Sequence, residues 1–390
     1  MDLLKQNNNI ANMIHDAALR LEEEHGFLVR TIIELALKGL SNMYDKEKRL
    51  FYYKLRGTFD GIVKEGLSRR YTIISLLGLH RLEAQGVQSP IDIQTTLAAL
   101  LEKIEEIDNI GDLGLLMWLC SLASPDQLDK IFSDLDIKGA LNRFPDARQG
   151  KTTELAWFLA GLSHSALASS QRLGYLKDLA IQTFELLKKN YGGKGIFGHL
   201  KKTTFKGMIR GRIGCFADQV YPIYALSKYA QAYNNKEAIV IAAECGKKIC
   251  EHQGRYGQWW WHYDSVTGRV VGRYPVFSVH QDGMAPMAIL TLGKITGLDF
   301  SKHIYKGLEW ITGKNELGFN LVDASQNVIW RSFYRKRYKM YFEEILALAQ
   351  VVNSKAEGKD LTLLFECRPY HLGWLLYAFA DKYTESQIKS

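Results

Sequence analysis

Thr152-Thr-Glu-Leu-Ala-Trp-Phe-Leu-Ala-Gly-Leu162 begins with a polar cluster and continues as an apolar run rich in Ala and Gly. Its spacing suits a helix, but no face of that helix is polar enough for water, so it predicts a helix covered on all sides. Five other stretches share this build: Ser68-Arg-Arg-Tyr-Thr-Ile-Ile-Ser-Leu-Leu-Gly-Leu79, Gly111-Asp-Leu-Gly-Leu-Leu-Met-Trp-Leu119, Phe216-Ala-Asp-Gln-Val-Tyr-Pro-Ile-Tyr-Ala-Leu226, Ser278-Val-His-Gln-Asp-Gly-Met-Ala-Pro-Met-Ala-Ile-Leu290 and Cys367-Arg-Pro-Tyr-His-Leu-Gly-Trp-Leu-Leu376. In chain order the six starts are separated by 43, 41, 64, 62 and 89 residues, and most intervals hold a second, more charged amphipathic helix. Two helices with two loops need about 40 residues, and the longer units have room for inserted loops or hairpins.

Helical periodicity dominates elsewhere too, in Ala18–Leu40, Ile93–Ile107, Leu176–Leu187, Ala238–Ile249 and Phe342–Val352. Strand-like alternation is confined to Arg269–Phe277 and Phe319–Phe333, the latter read as a hairpin turning at Ala324-Ser325-Gln326-Asn327. The expected fold is all-α: an α/α toroid of about six helical hairpins, with enclosed helices in an inner ring, amphipathic ones in an outer ring and a few short β-hairpin insertions. An open solenoid is the structural alternative, but it would favour more uniform repeats. Residues 1–60 are expected to be N-terminal helices packing on the ring, and 61–390 the toroid, as one continuous domain.

The 390 residues include 50 Lys and Arg against 42 Asp and Glu, 47% hydrophobic residues and 7 Pro, which excludes a disordered chain or a disulfide-stapled miniprotein. Five Cys, at 120, 215, 245, 250 and 367, are scattered and odd in number, so a reducing, cytoplasmic setting is expected. No run of 18 apolar residues predicts a membrane span. Positive charge gathers at Lys201, Lys202, Lys206, Arg210 and Arg212 and again at Arg331, Arg335, Lys336, Arg337 and Lys339, each group interleaved with aromatic or apolar side chains. Such stretches suit an anionic polymer or peripheral contact with an anionic membrane; no nucleic-acid reading module accompanies them, so nucleic acid is not an expected partner. No Gly-rich phosphate loop follows a strand.

In a ring of parallel inner helices, all inner N-termini open on one end, where unpaired N–H groups and the helix dipoles favour anionic or strongly hydrogen-bonding ligands. The polar clusters would place there Arg69, Arg70 and Tyr71, Asp112, Glu154, Asp218 and Gln219, His280, Gln281 and Asp282, and Arg368, Tyr370 and His371. Asp112 and Glu154 also suit simple first-turn roles. The run Gly254–Gly283 is the densest, with Trp259, Trp260 and Trp261 consecutive; at least one must face away from its neighbours, where an aromatic face stacks on sugar rings or steadies cations.

Gly257-Gln258-Trp259 after an amphipathic helix resembles the Gln-Trp-type repeat of terpenoid cyclases and protein prenyltransferases, and the ring with acids at its inner N-termini is similar to six-hairpin glycosidases and α/α-toroid polysaccharide lyases. This likeness is architectural and covers roughly residues 60–385. The Asp-rich signatures of terpenoid cyclases are missing, Ser133-Asp134-Leu135-Asp136 being the nearest approach, and no Cys lies in a zinc-ligand pattern. No metal or cofactor is expected.

The primary expectation is a carbohydrate-active enzyme that hydrolyses or β-eliminates an acidic glycan. Hydrolysis would use Asp218 and Asp282, at the starts of neighbouring helices about 8–10 Å apart. Elimination would use Tyr274 and His280 for proton transfer, with Arg70, Arg273 or Arg368 neutralising a uronate. Tyr71, Glu154, Gln219, Trp259, Trp261, Gln281 and His371 complete the expected substrate contacts. The alternatives are an isoprenoid-handling, terpenoid-cyclase-like enzyme in which Asp218 or Asp282 is the starting acid, and a non-catalytic toroid that binds a polymer or lipid.

Overall fold

The computed structural model describes residues 24–200, 211–336 and 360–388, with side chains to Tyr383. Six enclosed helices form a closed inner ring: α2 (Arg69–Glu83), α4 (Ile110–Ala123), α8 (Thr152–Ala168), α10 (Ala217–Tyr233), α12 (Ala285–Thr296, entered through a π-turn at His280–Met284) and α14 (Pro369–Ile388). Each packs on the next in that order, and α14 returns to α2. The outer layer comprises α1 (residues 24–43), α3 (Ile93–Leu101), α5 (Asp126–Asp134), α9 (Ser170–Lys188), α11 (Lys236–Glu251) and α13 (Ser301–Ile311), with short α6 (Ala140–Arg143) and α7 (Pro145–Gln149) in the loop before α8. The toroid expected from the six apolar runs is therefore the observed fold, and an open stack is excluded by the contact of α14 with α2.

Burial explains the two kinds of helix. In α8 every residue from Leu155 to Ala166 is buried, whereas α11 buries only the stripe Ala238, Ile241, Ala242, Cys245, Gly246, Ile249 and Cys250. The first kind has helices on both flanks and a filled ring interior; the second keeps a wet face. Glycines bring the inner helices close. A Cβ on Gly78 would lie 2.1 Å from the Gly373 carbonyl oxygen, and one on Gly161 would lie 2.2 Å from that of Gly114. The ring interior is filled by aromatic rings packed on one another: Trp118 lies 4.5 Å from Tyr224 and 5.6 Å from Trp374 between ring centroids.

Residues 44–58 differ from the expected N-terminal helices. After α1 the chain enters strands β1 (Tyr44–Asp45), β2 (Leu50–Thr58) and β3 (Gly61–Ser68). On β2 only Phe51 and Leu55 are buried, four residues apart, while Tyr53 on the same face is exposed, so the strand shows no clean alternation in its sequence, and Gly61 turns the hairpin with a φ of 120°. β2 pairs with β3 along one side and with β1 and then β12 (Glu366–Cys367) along the other. The remaining strands are short: β4 (Ile213–Cys215), β5 (His262–Asp264), β6 (Arg269–Gly272), β7 (Val276–Phe277), β8 (Val322–Asp323), β9 (Val328–Ile329), β10 (Ser332–Arg335) and β11 (Leu361–Leu364). β8 and β9 form the hairpin expected at Ala324–Asn327.

The expected helix Phe342–Val352 and the basic residues Lys201, Lys202, Lys206, Arg210, Arg337 and Lys339 lie outside the described residues. All five Cys are free thiols. No described helix is long and apolar enough to cross a membrane.

Closure at the Gly78–Gly373 contact predicts that Gly78→Ala lowers the unfolding free energy by about 1–3 kcal/mol, the usual cost of overpacking. Gly174→Ala, in α9 with nothing within 4 Å of the added carbon, is the control and raises stability by about 0.4–1 kcal/mol. Urea unfolding monitored by circular dichroism measures both. Equal effects of the two substitutions would remove the close crossing as the reason for glycine.

Candidate active site at the inner-helix mouth

The six inner-helix starts meet on one rim, and side-chain contacts can be followed around it. Ser68 caps α2 by accepting from the Tyr71 N–H, and Asn109 caps α4 by accepting from Gly111 and Asp112. Arg70 at the start of α2 pairs with Asp112 at the start of α4 and lies over the Trp157 ring of α8 at 5.2 Å. Thr153 Oγ1 of α8 donates to Asp218 of α10 at 2.9 Å. Phe216, just before α10, packs on His280 at 4.4 Å; Asp282 then meets His371 Nε2 of α14 at 2.7 Å. Arg368, just before α14, completes the circuit by donating from Nη1 to the Tyr71 hydroxyl at 3.1 Å.

The carboxyl groups on this rim have different surroundings. Asp218 is fully buried and accepts from Thr153, from the Cys215 N–H at 2.9 Å and from His199 Nδ1 at 3.1 Å. Burial alone would raise its pKa, but His199 and the Cys215 N–H outweigh it and hold the carboxyl below its usual value. Glu154, one helix away, has a buried Oε2 without a hydrogen-bond partner among the described residues. Burial, reinforced by the negative Asp218, pushes its pKa up. Two carboxyls at one mouth are thus driven apart, one toward the neutral acid and one toward the anion.

Asp282 is also fully buried, with both oxygens within 2.8 Å of His371 Nε2. The pair ties the π-turn to α14 from inside, so the Asp282 carboxylate, expected to be catalytic, and the Nε2 of His371, an expected substrate contact, are engaged with each other. The same holds for three other expected contacts. Gln219 bonds the backbone of Phe197 and Cys215, Gln281 bonds the backbone of Trp259 and Phe277, and Trp259 is fully buried against Phe216. Such side chains fix the loops that carry the rim, a use that a polar residue near a helix start does not reveal from its position.

Trp261 is the member of the Trp run that stays partly exposed, stacked parallel to His280 at 5.8 Å. His280 is enclosed by Phe216, Trp261 and Phe277, and burial lowers its pKa to about 3, leaving it neutral at physiological pH. Tyr274 is buried and donates to Glu316 at 2.8 Å; burial and Glu316 both raise its pKa. The expected Tyr274 and His280 proton couple is therefore not assembled: each ring is held by its own neighbours. Arg273 lies over Trp260 at 5.3 Å. Among the described residues no group of three or more His, Cys, Asp or Glu is placed to hold a metal ion.

The structure adds four rim residues that the sequence reading did not select. His199 arrives from the loop after α9, Trp157 from the second turn of α8, Tyr53 from β2, and Arg331 from the segment before β10. Tyr53 stacks on Tyr71 with centroids 5.2 Å apart, and Tyr71 lies 4.6 Å from Tyr370. None belongs to the polar cluster that opens an inner helix, so spacing offered no signal for them; only the Arg331 basic stretch was visible.

No protein-family profile matches this sequence, and neither does any curated protein. Solved structures do match over nearly the whole chain. A possible GH105 member from Klebsiella pneumoniae shares 12% identity over 92% of this chain and 93% of its own, with a TM-score of 0.60. An unsaturated glucuronyl hydrolase specific for heparin shares 13% identity over 93% and 98%, at 0.53. The α-1,6-mannanase GH76A from Salegentibacter sp. shares 12% over 92% and 99%, at 0.53. These neighbours are six-hairpin glycosidase-like enzymes, and what this chain has in common with them is the α/α toroid fold.

Proposed function

We propose that the protein is a carbohydrate-active enzyme that hydrolyses a glycosidic bond of an acidic glycan at the inner-helix mouth. The observation that carries this reading is the buried Oε2 of Glu154, which has no hydrogen-bond partner among the described residues, beside an ionised Asp218. A glycosidic oxygen leaves only if it is protonated, and a carboxyl kept neutral by burial and by a neighbouring anion is suited to donate that proton. Asp218, held by three donors, keeps its charge and stabilises the positive charge that develops at the anomeric carbon. Partly exposed Trp261 offers a ring edge to the sugar, and Arg331 and Arg368, which share the single carboxylate of Glu366, leave the mouth with excess positive charge that favours an acidic chain. The fold shared with glucuronyl hydrolases and a mannanase supports a glycan substrate.

Hydrolysis is favoured over β-elimination because the Tyr274 and His280 proton couple that elimination would use is not assembled. Burial raises the Tyr71 pKa, so its hydroxyl stays protonated, and Tyr274 is spent on Glu316. A cyclase-like reading is weaker, since the ring aromatics Trp118, Tyr224 and Trp374 pack against one another rather than lining a chamber for a polyene.

Incubation with uronate-containing and neutral oligosaccharides tests the reading: hydrolysis releases new reducing ends, elimination gives an ultraviolet-absorbing unsaturated product, and silence with both classes overturns the proposal. With an active substrate, Glu154→Gln should lower kcat by about 10²–10⁴-fold while leaving the circular dichroism unchanged. Wild-type turnover in that variant would remove Glu154 as the proton donor. The pH profile should be bell-shaped. Activity needs Glu154 protonated, so it is lost as pH rises through a pKa above the usual 4.5, and it needs Asp218 ionised, so it is lost as pH falls through a pKa below the usual 3.8. Replacement of Glu154 by Gln should abolish the alkaline limb of whatever rate remains.

A further inference from the structure

We propose that the mouth holds a subsite for an anionic substituent of the sugar chain, formed by Arg331, Arg368 and the hydroxyls of Tyr53, Tyr71 and Tyr370, across the ring from Glu154. The proposal rests on reading the mouth as a glycan site and specifies what that glycan must carry.

Charge bookkeeping is the first argument. β12 pairs with β2 and brings Lys54 Nζ to within 2.9 Å of Glu366, whose Oε2 also meets Arg368 Nη2 at 3.1 Å and Arg331 Nε at 4.0 Å. Lys54 reaches Glu65 as well, at 3.2 Å, and Glu65 is also paired with Arg56 at 2.5 Å. Four cations thus share two carboxylates, and no other carboxylate among the described residues lies within ion-pair distance of Arg331 or Arg368. Both arginine side chains are largely buried, with exposures of 15% and 16%, so solvent screens the excess charge only in part.

Donor direction is the second. Arg368 Nη1 donates to the Tyr53 hydroxyl at 3.0 Å and to the Tyr71 hydroxyl at 3.1 Å, and Arg331 Nη1 approaches the Tyr370 hydroxyl at 3.5 Å. A hydroxyl whose oxygen accepts from a guanidinium still has its own hydrogen to give. Burial keeps Tyr71 protonated, which preserves that hydrogen. Arg368 Nε is buried without a partner among the described residues, and idle buried donors are costly unless an acceptor arrives. The faces of the three tyrosines are largely turned on one another and on Arg368, which sits 4.6 Å over Tyr53, so their hydroxyls and edges are what remain for a ligand. Tyr53 stands between buried Phe51 and Leu55 on β2 yet is 37% exposed. Its cross-strand side is left open by Gly66, in the left-handed conformation at φ 58°.

Position is the third. Arg368 precedes α14, and Glu154 belongs to α8, three places around the six-helix ring. With neighbouring axes about 8–10 Å apart, opposed axes are separated by about twice that. The anionic group therefore sits on a part of the substrate remote from the bond being cleaved, and neutral analogues lose its binding energy without losing access to Glu154.

Calorimetric titration of the full chain with methyl glucuronide, methyl glucoside and methyl glucoside 6-sulfate provides the test. Wild-type protein should bind at least one anionic glycoside about tenfold or more tighter than the neutral one, the scale of a charge-assisted contact. A preference for the sulfate ester assigns the subsite to a tetrahedral anion, and a preference for the uronide assigns it to a carboxylate. Arg331→Gln should bring the ratio close to unity, and Tyr53→Phe, which removes one hydroxyl from an exposed ring, should reduce it about threefold. Glu154→Gln should leave the ratio intact. Equal binding of all three glycosides by the wild type, or an undiminished ratio in both Arg331→Gln and Tyr53→Phe, overturns the subsite. Anion-selective binding without turnover of any glycan would sustain the subsite and remove the hydrolase reading, while turnover without anion selectivity would do the reverse.

Discussion

The close backbone crossing between the first and last inner helices is the contact on which the rest of the molecule depends. Gly78 and Gly373 are 295 residues apart in the chain, yet neither leaves room for a Cβ against the other helix. At the α4 and α8 crossing, Gly114 and Gly161 repeat the arrangement. Six helices surround a filled centre only if their axes come near enough for Trp118, Tyr224 and Trp374 to meet in the middle. Bulkier residues at the crossings would widen the ring and open voids in its centre, and both changes cost free energy.

Closure also creates the mouth. Parallel inner helices direct their unpaired N–H groups and the positive ends of their dipoles to one rim. A carboxylate placed there gains from this field, and Asp218 adds His199 and a backbone N–H to it. Glu154 sits in the same field but gets no donor on Oε2 from the described residues and faces the charge of Asp218. The difference between two acids on adjacent helices therefore arises from which one the neighbouring loops satisfy. Gln219 ties strand β4 and the segment at Phe197 to the start of α10, and Gln281 ties the segment at Trp259 to the entry of α12, so these side chains position the loops around the mouth.

Much of this was readable in the chain. The six apolar runs identify the inner helices because complete enclosure requires them to be apolar all round, a property visible residue by residue. Their opening clusters also identify the rim, as the contacts Arg70 to Asp112, Thr153 to Asp218 and Arg368 to Tyr71 bear out. What was not readable is which members of a cluster turn inward. Asp282 and His371 looked like ligand groups because both are polar and lie near helix starts, yet they satisfy each other inside the wall. Tyr53 and His199 escaped notice because they come from a strand and a loop, where no helical spacing marks the end that reaches the rim.

By itself the sequence determined the helical class, the identity of the six enclosed helices and the concentration of Arg, Tyr and acidic residues at their starts, since these follow from local composition and periodicity. Only the tertiary structure decided that the ring closes, that α8 and α14 stand opposite each other, and that Glu154 Oε2 has no partner among the described residues while Asp218 accepts from Thr153, His199 and the Cys215 N–H. Those outcomes depend on distances between segments far apart in the chain. Burial and pairing, which set the charge state of each acid, are properties of such distances and have no counterpart in the order of residues alone.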